Sequence, residues 1–294
     1  MLPLDEDLGL DAGLDEVPPP APSRERGATP SRVTRVAIGA AVPLALVLAW
    51  WVASRSGALS PRLLPPPGRV LDSGRDFLFG SAGESRVPGV IPFKGGASIH
   101  LPASIRRWVV AYAIAVGVGV PLGLGLGLSR WISAALDPLV QAFRAVPITA
   151  WLPIALVWFG FGEGAARYLV FIGAFYPIVI ATTDAARRVP RQLVDTARML
   201  GTRRRALARR VYVPAALPGI VTGLRLGLTL GWTSLIVGEI TGQDTGLGAM
   251  MFAAREVSQL DQIIVGMVAF AVVGLLGDLL LRAVTRPVVA WADR

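Results

Sequence analysis

The chain has 294 residues, 53% of them hydrophobic, with 33 glycines and a mean hydropathy of +0.57, more apolar surface than a water-soluble domain can bury, so it belongs in a bilayer. A net charge of +9 raises nucleic acid as a partner, but the basic residues gather at the ends of apolar runs, where the positive-inside rule puts them, and nucleic-acid binding is set aside. The chain has no cysteine, a single histidine (His100, expected in a polar loop near the membrane surface) and a lone Lys94 followed by Gly95; these exclude disulfides, thiolate or histidine-rich metal sites and a phosphate-binding G-x-x-x-x-G-K-[ST] loop.

Residues 1–33 are acidic and proline-rich, with Asp5, Glu6, Asp7, Asp11, Asp15, Glu16 and the run Pro18-Pro19-Pro20, and are expected to form a disordered tail. The apolar run 36–53 is longer than a signal-peptide core and has no basic leader of that type, so it reads as an uncleaved first span. Further spans are expected at about 108–128, 139–161, 168–183, 215–240 and 263–281, making six, each near the ~20 residues that cross a hydrocarbon core. Arg32 and Arg35 ahead of the first span place the N-terminus in the cytoplasm, and six crossings bring Arg282 and Arg286 back to the same side. Against this scheme, the loop 54–107 should be external, yet it carries Arg55, Arg62, Arg69, Arg75, Arg86, Lys94, Arg106 and Arg107. Its length and its acids Asp72, Asp76 and Glu84 weaken the charge rule there.

Between the fourth and fifth spans, residues 190–214 are polar and contain seven arginines. The segment reads as helix, glycine turn, helix. Pro190 suits the first helical position, Leu193, Ala197 and Leu200 give an apolar face, and Gly201 supplies a left-handed stop. Thr202 is placed to cap a second helix that ends at Pro214. A compact amphipathic hairpin on the polar side of a membrane protein is a natural handle for a partner.

The fifth span carries Gly219, Gly223, Gly227 and Gly231, and the second carries Gly119, Gly123 and Gly127. Spacing of four puts each set on one helix face, where it allows close packing and, alternatively, sliding. Asp137, Arg144, Arg225, Glu239 and Asp278 lie inside or at the rim of spans, as do Trp151, Trp158, Tyr176 and Trp232. Intramembrane charges face protein or water. Arg225 and Asp278 fall at overlapping depths and can pair, or Arg225 can serve an anion path. Glu239 sits at the outer end of its span as a candidate gate or receptor contact. The tryptophans read as interfacial anchors ahead of substrate contacts. No acid/base pair, nucleophile or metal set stands out, so no catalytic residue is assigned.

The pattern Asp195-Thr196-Ala197, three residues, Gly201, nine residues, Val211-Tyr212-Val213-Pro214 resembles the E-A-A-x3-G-x9-I-x-L-P loop of ABC-importer permeases, with Asp for Glu, Thr for the first Ala, and Val for Ile and Leu. The resemblance continues from about residue 98 to the C-terminus. Ser104-Ile105-Arg106-Arg107, Leu136-Asp137-Pro138, Arg144-Ala145-Val146-Pro147, Gly173-Ala174-Phe175-Tyr176-Pro177, Gly223-Leu224-Arg225, Ser234 to Glu239 and Gly246-Leu247-Gly248 look like the permeases of nitrate, sulfonate and taurine importers, the aliphatic-sulfonate members most of all. That resemblance implies an all-helical, six-span membrane domain (34–294) with a cytoplasmic coupling loop (190–214) that docks on a separate ATPase through Asp195, Thr196, Ala197, Gly201, Val211 and Pro214. It implies two ATPase subunits that bind ATP and Mg, a second copy of the permease, an extracytoplasmic substrate-binding protein, and residence in a bacterial inner membrane. The cargo it implies is a small anion such as an aliphatic sulfonate, with nitrate, taurine, bicarbonate or a pyrimidine precursor as alternatives. Arg225, Glu239, Trp151 and Trp232 are the candidate path or gate residues. An ion-coupled secondary transporter, the rival reading, should show inverted repeats and midplane ionisable sites; no internal repeat is evident.

Overall fold

In a computed structural model, residues 32–56, 60, 63–80, 93 and 95–290 are described, and the acidic tail up to residue 31 lies outside them. All regular structure among the described residues is helical. The chain divides into two units, one ending at Ala49 and the other running from Trp50 to Arg294. In the first unit lies most of helix α1 (Arg32–Arg55), which covers the first expected span.

The second unit is organised around one helix. Helices α3 (Ala97–Leu128), α6 (Glu163–Arg187) and α9 (Val213–Ile240) pack together along their lengths. A Cβ added at Gly119, Gly123 or Gly127 of α3 would run into Ile178, Thr182 and Ala186 of α6, respectively. Residue numbers rise together on the two helices, so they lie parallel. On α9, Gly219, Gly223, Gly227 and Gly231 face Ala185, Ala181, Ile178 and Ala174 of α6; here the numbers run oppositely and the helices are antiparallel. Both glycine rows therefore serve close packing, and both against the same helix. In lipid the driving force for such contact is dispersion at short range, which only small residues allow. Hydrogen bonds fix the register: Thr183 Oγ1 donates to the Gly123 carbonyl at 3.1 Å, and Tyr112 donates across to the Leu224 carbonyl at 2.8 Å.

Because α3 and α6 are parallel, the chain between them must return across the bundle. The expected third span, 139–161, does this, but not as one helix. Helix α4 (Arg130–Arg144) stops, a 3-10 turn (Ile148–Trp151) intervenes, and α5 (Leu152–Phe159) follows at a bend of 99°. Pro147 and Pro153 explain the break: each lacks an N–H, and the residue before a proline disfavours helical backbone. Arg187, at the far end of α6, holds the α4 side by donating to Ser133 and Asp137 at 2.9 and 3.0 Å. Helices α10 (Leu247–Glu256) and α11 (Leu260–Val289) complete the unit, α11 running antiparallel to α9 with Gly274 against Trp232. Among the described residues, four helices are long and apolar enough to cross a membrane, or five counting the bent pair; with α1 these account for the six expected runs.

The segment expected as an external loop also holds structure. Helix α2 (Pro67–Phe79) buries Phe77 and is tied to the start of α11 by Ser73 donating to Asp261 at 2.5 Å. Helix α3 begins eleven residues before the expected second span, so His100, Arg106 and Arg107 lie on a helix. The excess of positive charge there is answered by acids brought from elsewhere: Arg106 pairs with Glu163, Arg107 with Glu239 and Arg69 with Asp261 at 3.6 Å.

The packing yields a test. A Cβ at Gly227 would lie 2.7 Å from Ile178 Cγ1 and 2.8 Å from the Ala174 carbonyl oxygen, and backbone cannot step aside. Gly227→Leu is expected to cost at least ~1–3 kcal/mol and to lower the detergent thermal midpoint, whereas Leu226→Ala on the exposed side of the same helix should leave it nearly unchanged. A normal midpoint for Gly227→Leu would remove the packing role of the row.

Candidate functional site

The end of the bundle where α6 finishes carries the polar hairpin. Helix α7 (Arg191–Met199) starts after Pro190, which occupies the N-cap rather than the first helical position. Gly201 has φ +76°, and the turn closes with Thr202 N–H donating to Ala197 C=O at 3.1 Å and Gly201 N–H to Arg198 C=O at 2.9 Å. This paired 6→1 and 5→2 pattern is the Schellman stop expected of a glycine there. The second arm differs from expectation in two ways. It begins at Arg204 (α8, Arg204–Leu207), so Thr202 is not its cap. It also does not end at Pro214 but passes through a π-helical turn (Ala208–Tyr212) into α9, in whose first turn Pro214 sits. A proline is tolerated in a first turn because no N–H partner is lost, and the wider π turn accommodates it.

The hairpin is pinned to the bundle by Val189, Val194 and Leu207, buried with Ala216 and Ile220. Ala197, Val211 and Tyr212 pack against this cluster. The apolar face thus falls on Val194 and Ala197, not on Leu193 and Leu200, because the helix turns its other side to the bundle. What remains outside is unusual for a polar segment: Met199 is 87% and Leu200 81% exposed, beside exposed Asp195 and Thr196. A firmly seated hairpin with an apolar tip and basic flanks presents a surface for another protein.

At the opposite end of α6, roughly 37 Å away for 25 residues, sits a buried polar knot. Glu239, wholly buried, accepts from Ser104 at 2.7 Å, from Arg107 Nη1 at 3.0 Å and from the Gly248 N–H at 2.9 Å. Arg107 also donates to the Thr245 carbonyl and hydroxyl at 2.5 and 2.7 Å. Ser104 accepts from Leu247 N–H at 2.9 Å and His100 Nδ1 from Gly246 N–H at 3.1 Å. The carboxylate and two side-chain acceptors therefore satisfy the orphan N–H groups at the start of α10, where a negative charge also meets the positive end of the helix dipole. Gly246 (φ +126°) leaves no room for a Cβ beside the Glu239 carboxyl. His100 is thus an interior helix residue and not a surface-loop histidine. Sequence reasoning singled out Ser104 to Arg107, Glu239 and Gly246 to Gly248 separately. The signal that joins them is an acid in an apolar span with no partner in its own helix, which demands a cation from another.

The remaining expected site residues separate. Arg225 Nε donates to Asp278 at 3.0 Å, and Arg282 reaches the same carboxylate at 2.7 Å. Trp151 and Trp232 are buried rather than interfacial: Trp151 contacts Phe143 and Tyr168, and Trp232 stacks on Phe270 and donates to its carbonyl at 3.0 Å. None of Arg225, Glu239, Trp151 or Trp232 lines the cavity of about 420 Å³ that lies between the α4–α5 bend, α6 and α9. Arg144, Tyr176, Thr233 and Ser234 do.

The knot should be energetically sharp. Glu239→Gln removes the nearer counter-charge of buried Arg107, leaving only Glu163 at 3.7 Å, and is expected to cost ~3 kcal/mol, while Asp195→Asn, in an exposed pair with Arg198, should cost no more than ~1 kcal/mol. Thermal unfolding in detergent compares them, and equal midpoints would deny the knot its structural weight.

Comparison with known proteins gives this geometry a lineage. Residues 115–290 match the family described as binding-protein-dependent transport system inner membrane component. The chain is 36% identical over 250 residues to the putative aliphatic sulfonates transport permease protein SsuC of Escherichia coli (strain K12), covering 85% of this chain and 90% of that protein. It is 33% identical over 261 residues to the taurine transport system permease protein TauC of the same organism, covering 89% and 91%. Among solved structures, the inward-facing MetNI methionine ABC transporter shares the fold at a TM-score of 0.52 and 22% identity, covering 64% of this chain and 95% of that one. A helical bundle with a seated hairpin at one end, matched over these lengths, belongs to that family, and the chain is a multi-pass permease subunit of an ABC importer.

Proposed function

We propose that this permease moves a small anionic solute, of the aliphatic-sulfonate kind, inward across a bacterial inner membrane, driven by ATP and Mg bound on two separate ATPase subunits. The hairpin is the coupling element. Its two arms join the ends of α6 and α9 with little slack: three residues separate α6 from α7, and the second arm is continuous with α9. A push on the tip therefore reaches both helices of the central pair, a rigid-body transmission. The exposed Met199 and Leu200 enter a cleft on the ATPase, with Asp195 and Thr196 at its rim and Gly201 setting the angle between arms. Ala197 and Val211 hold the hairpin against the bundle, and Pro214 sits in the first turn of α9, into which the second arm runs.

The hairpin end is then cytoplasmic, and both chain termini with it. The knot end faces outward, where a substrate-binding protein delivers cargo and Glu239 holds the outer ends of α3, α9 and α10 together as the closed gate. One hairpin per chain against a two-sided ATPase calls for two copies of the permease. The cargo class draws on the names of SsuC and TauC. Arg225, spoken for by Asp278, holds α9 to α11 and does not serve the path.

The exposed tip carries this reading, and it can be tested directly. Leu200→Asp is expected to leave the permease at normal level in the membrane and to abolish co-purification of a nucleotide-binding subunit. Gly201→Val should weaken it about tenfold, since a β-branched residue in a left-handed turn costs ~1 kcal/mol or more. Retention of the subunit by Leu200→Asp would refute the docking role.

A further inference from the structure

The cavity between the α4–α5 bend, α6 and α9 deepens the importer reading, on which its relevance to transport rests. Tyr176 on its wall is 13 residues from the start of α6 and 11 from its end, so the cavity lies at mid-height of the bundle, roughly 16–20 Å from either end. A charged group at that depth is expensive unless it meets a counter-charge or water. Arg144 lines the cavity, and among the described residues no carboxylate pairs with it. Arg225, Arg187 and Arg107, by contrast, each have one. Tyr176 also lines the cavity, and its hydroxyl has no hydrogen-bond partner among the described residues. The hydroxyls of Thr233 and Ser234 already donate to the carbonyls of Thr229 and Leu230, so they offer only acceptor oxygens. Pro177 gives no N–H to the Gly173 carbonyl one turn back, which adds a neutral acceptor. The rest of the wall is apolar: Pro147, Ile148, Ile172, Leu230 and Val237.

We propose that this cavity is a cargo-selecting site on the permease itself, in which Arg144 and Tyr176 take the anionic head of an organic monoanion and the apolar walls take its uncharged body. The donor count decides the sign of the head: a guanidinium and a phenol, with no carboxylate on the wall. The walls decide the body. A volume of about 420 Å³ exceeds what a bare inorganic oxyanion fills, and burying a methylene against aliphatic side chains is favourable at each added carbon. A zwitterion such as taurine brings an ammonium that finds only neutral acceptors, and nitrate brings no body. The permease thus favours alkanesulfonates over both, in addition to whatever the binding protein selects.

The chain's lack of cysteine makes the site addressable. Thr233→Cys, in the full complex with its ATPase and without binding protein, is labelled by a maleimide, and protection by added anions is titrated. The expected order is 1-hexanesulfonate well ahead of methanesulfonate, at least tenfold, with taurine weaker again and nitrate without effect. Arg144→Gln in this background should raise the protecting concentration of hexanesulfonate at least tenfold, and Arg144→Lys should recover part of it. Should Arg144→Gln not reach the membrane, Tyr176→Phe decides, with a severalfold loss expected. Nitrate protecting as well as hexanesulfonate overturns the apolar-body assignment. Unchanged protection in Arg144→Gln, or in Tyr176→Phe where that variant decides, overturns the head site, and disulfide cross-linking of Thr233→Cys between two copies overturns it by showing that a second permease fills the cavity. Failure of any nucleotide-binding subunit to co-purify is a separate result: it defeats the importer reading and leaves the binding titration to be scored alone.

Discussion

The close approach of α6 to two neighbours is the constraint from which the rest follows. A helix interface in lipid gains nothing from expelling water, so its stability must come from contacts at van der Waals distance and from hydrogen bonds. Glycine rows on α3 and α9 bring both backbones against the same helix, and Ile178 touches both rows, being near Gly119 on one side and Gly223 and Gly227 on the other. A parallel and an antiparallel neighbour on one helix then dictate topology. The chain must cross back between α3 and α6, which the broken α4–α5 pair does, and the break opens the space that becomes the cavity.

Charge is handled differently along the height of the bundle. At one end Glu239 and Arg107 are buried and share four further donors or acceptors, with Glu163 at 3.7 Å from Arg107 Nε, so the desolvation of the ions is offset by a dense network. At the level of Arg225, Asp278 is shared by two arginines in a partly exposed setting. At the level of the cavity, Arg144 has no carboxylate partner among the described residues. Arg144 is exposed on the cavity side, and on the proposal made above a mobile anion supplies the charge that the surrounding residues do not.

Much of this was legible in the sequence, for reasons that lie in periodicity. Glycines four apart state a helix face directly, and a glycine between two short amphipathic segments states a left-handed stop, as Gly201 provides. Composition and charge gave the membrane class. What resisted reading were features decided by distant partners. Nothing local tells that Pro214 sits inside a continuous helix, because a proline that terminates one helix and a proline in the first turn of the next look alike. Spacing gives Leu193 and Leu200 as the apolar face of α7, yet Val194 is the buried residue, since the choice between adjacent apolar stripes depends on which side the bundle occupies. Arg106 and Arg107 looked like external loop charges because their acids, Glu163 and Glu239, lie more than fifty residues away.

The two ends of α6 also explain why a push at the hairpin need not distort the bundle. The knot ties α3, α9 and α10 together through ionic hydrogen bonds at one end, while at the other the hairpin is continuous with α9 and a short link from α6. The α6–α9 contact between them sets the glycines of α9 against Ala174, Ile178, Ala181 and Ala185, with no side-chain hydrogen bond across the row among the described residues. Such an interface resists separation, because every glycine contact is lost at once, but resists rotation less, since no directional bond must break. On the coupling role proposed for the hairpin, a load applied there is therefore taken up by rotation of α6 against α9 rather than by their separation. At the α4–α5 bend, tighter turn bonds such as Ala150 N–H to Pro147 C=O at 2.9 Å replace the α-helical pattern, and Arg144 ends α4 there. On that proposal, rotation of α6 shifts the wall that Tyr176 and Pro177 form relative to the wall that carries Arg144.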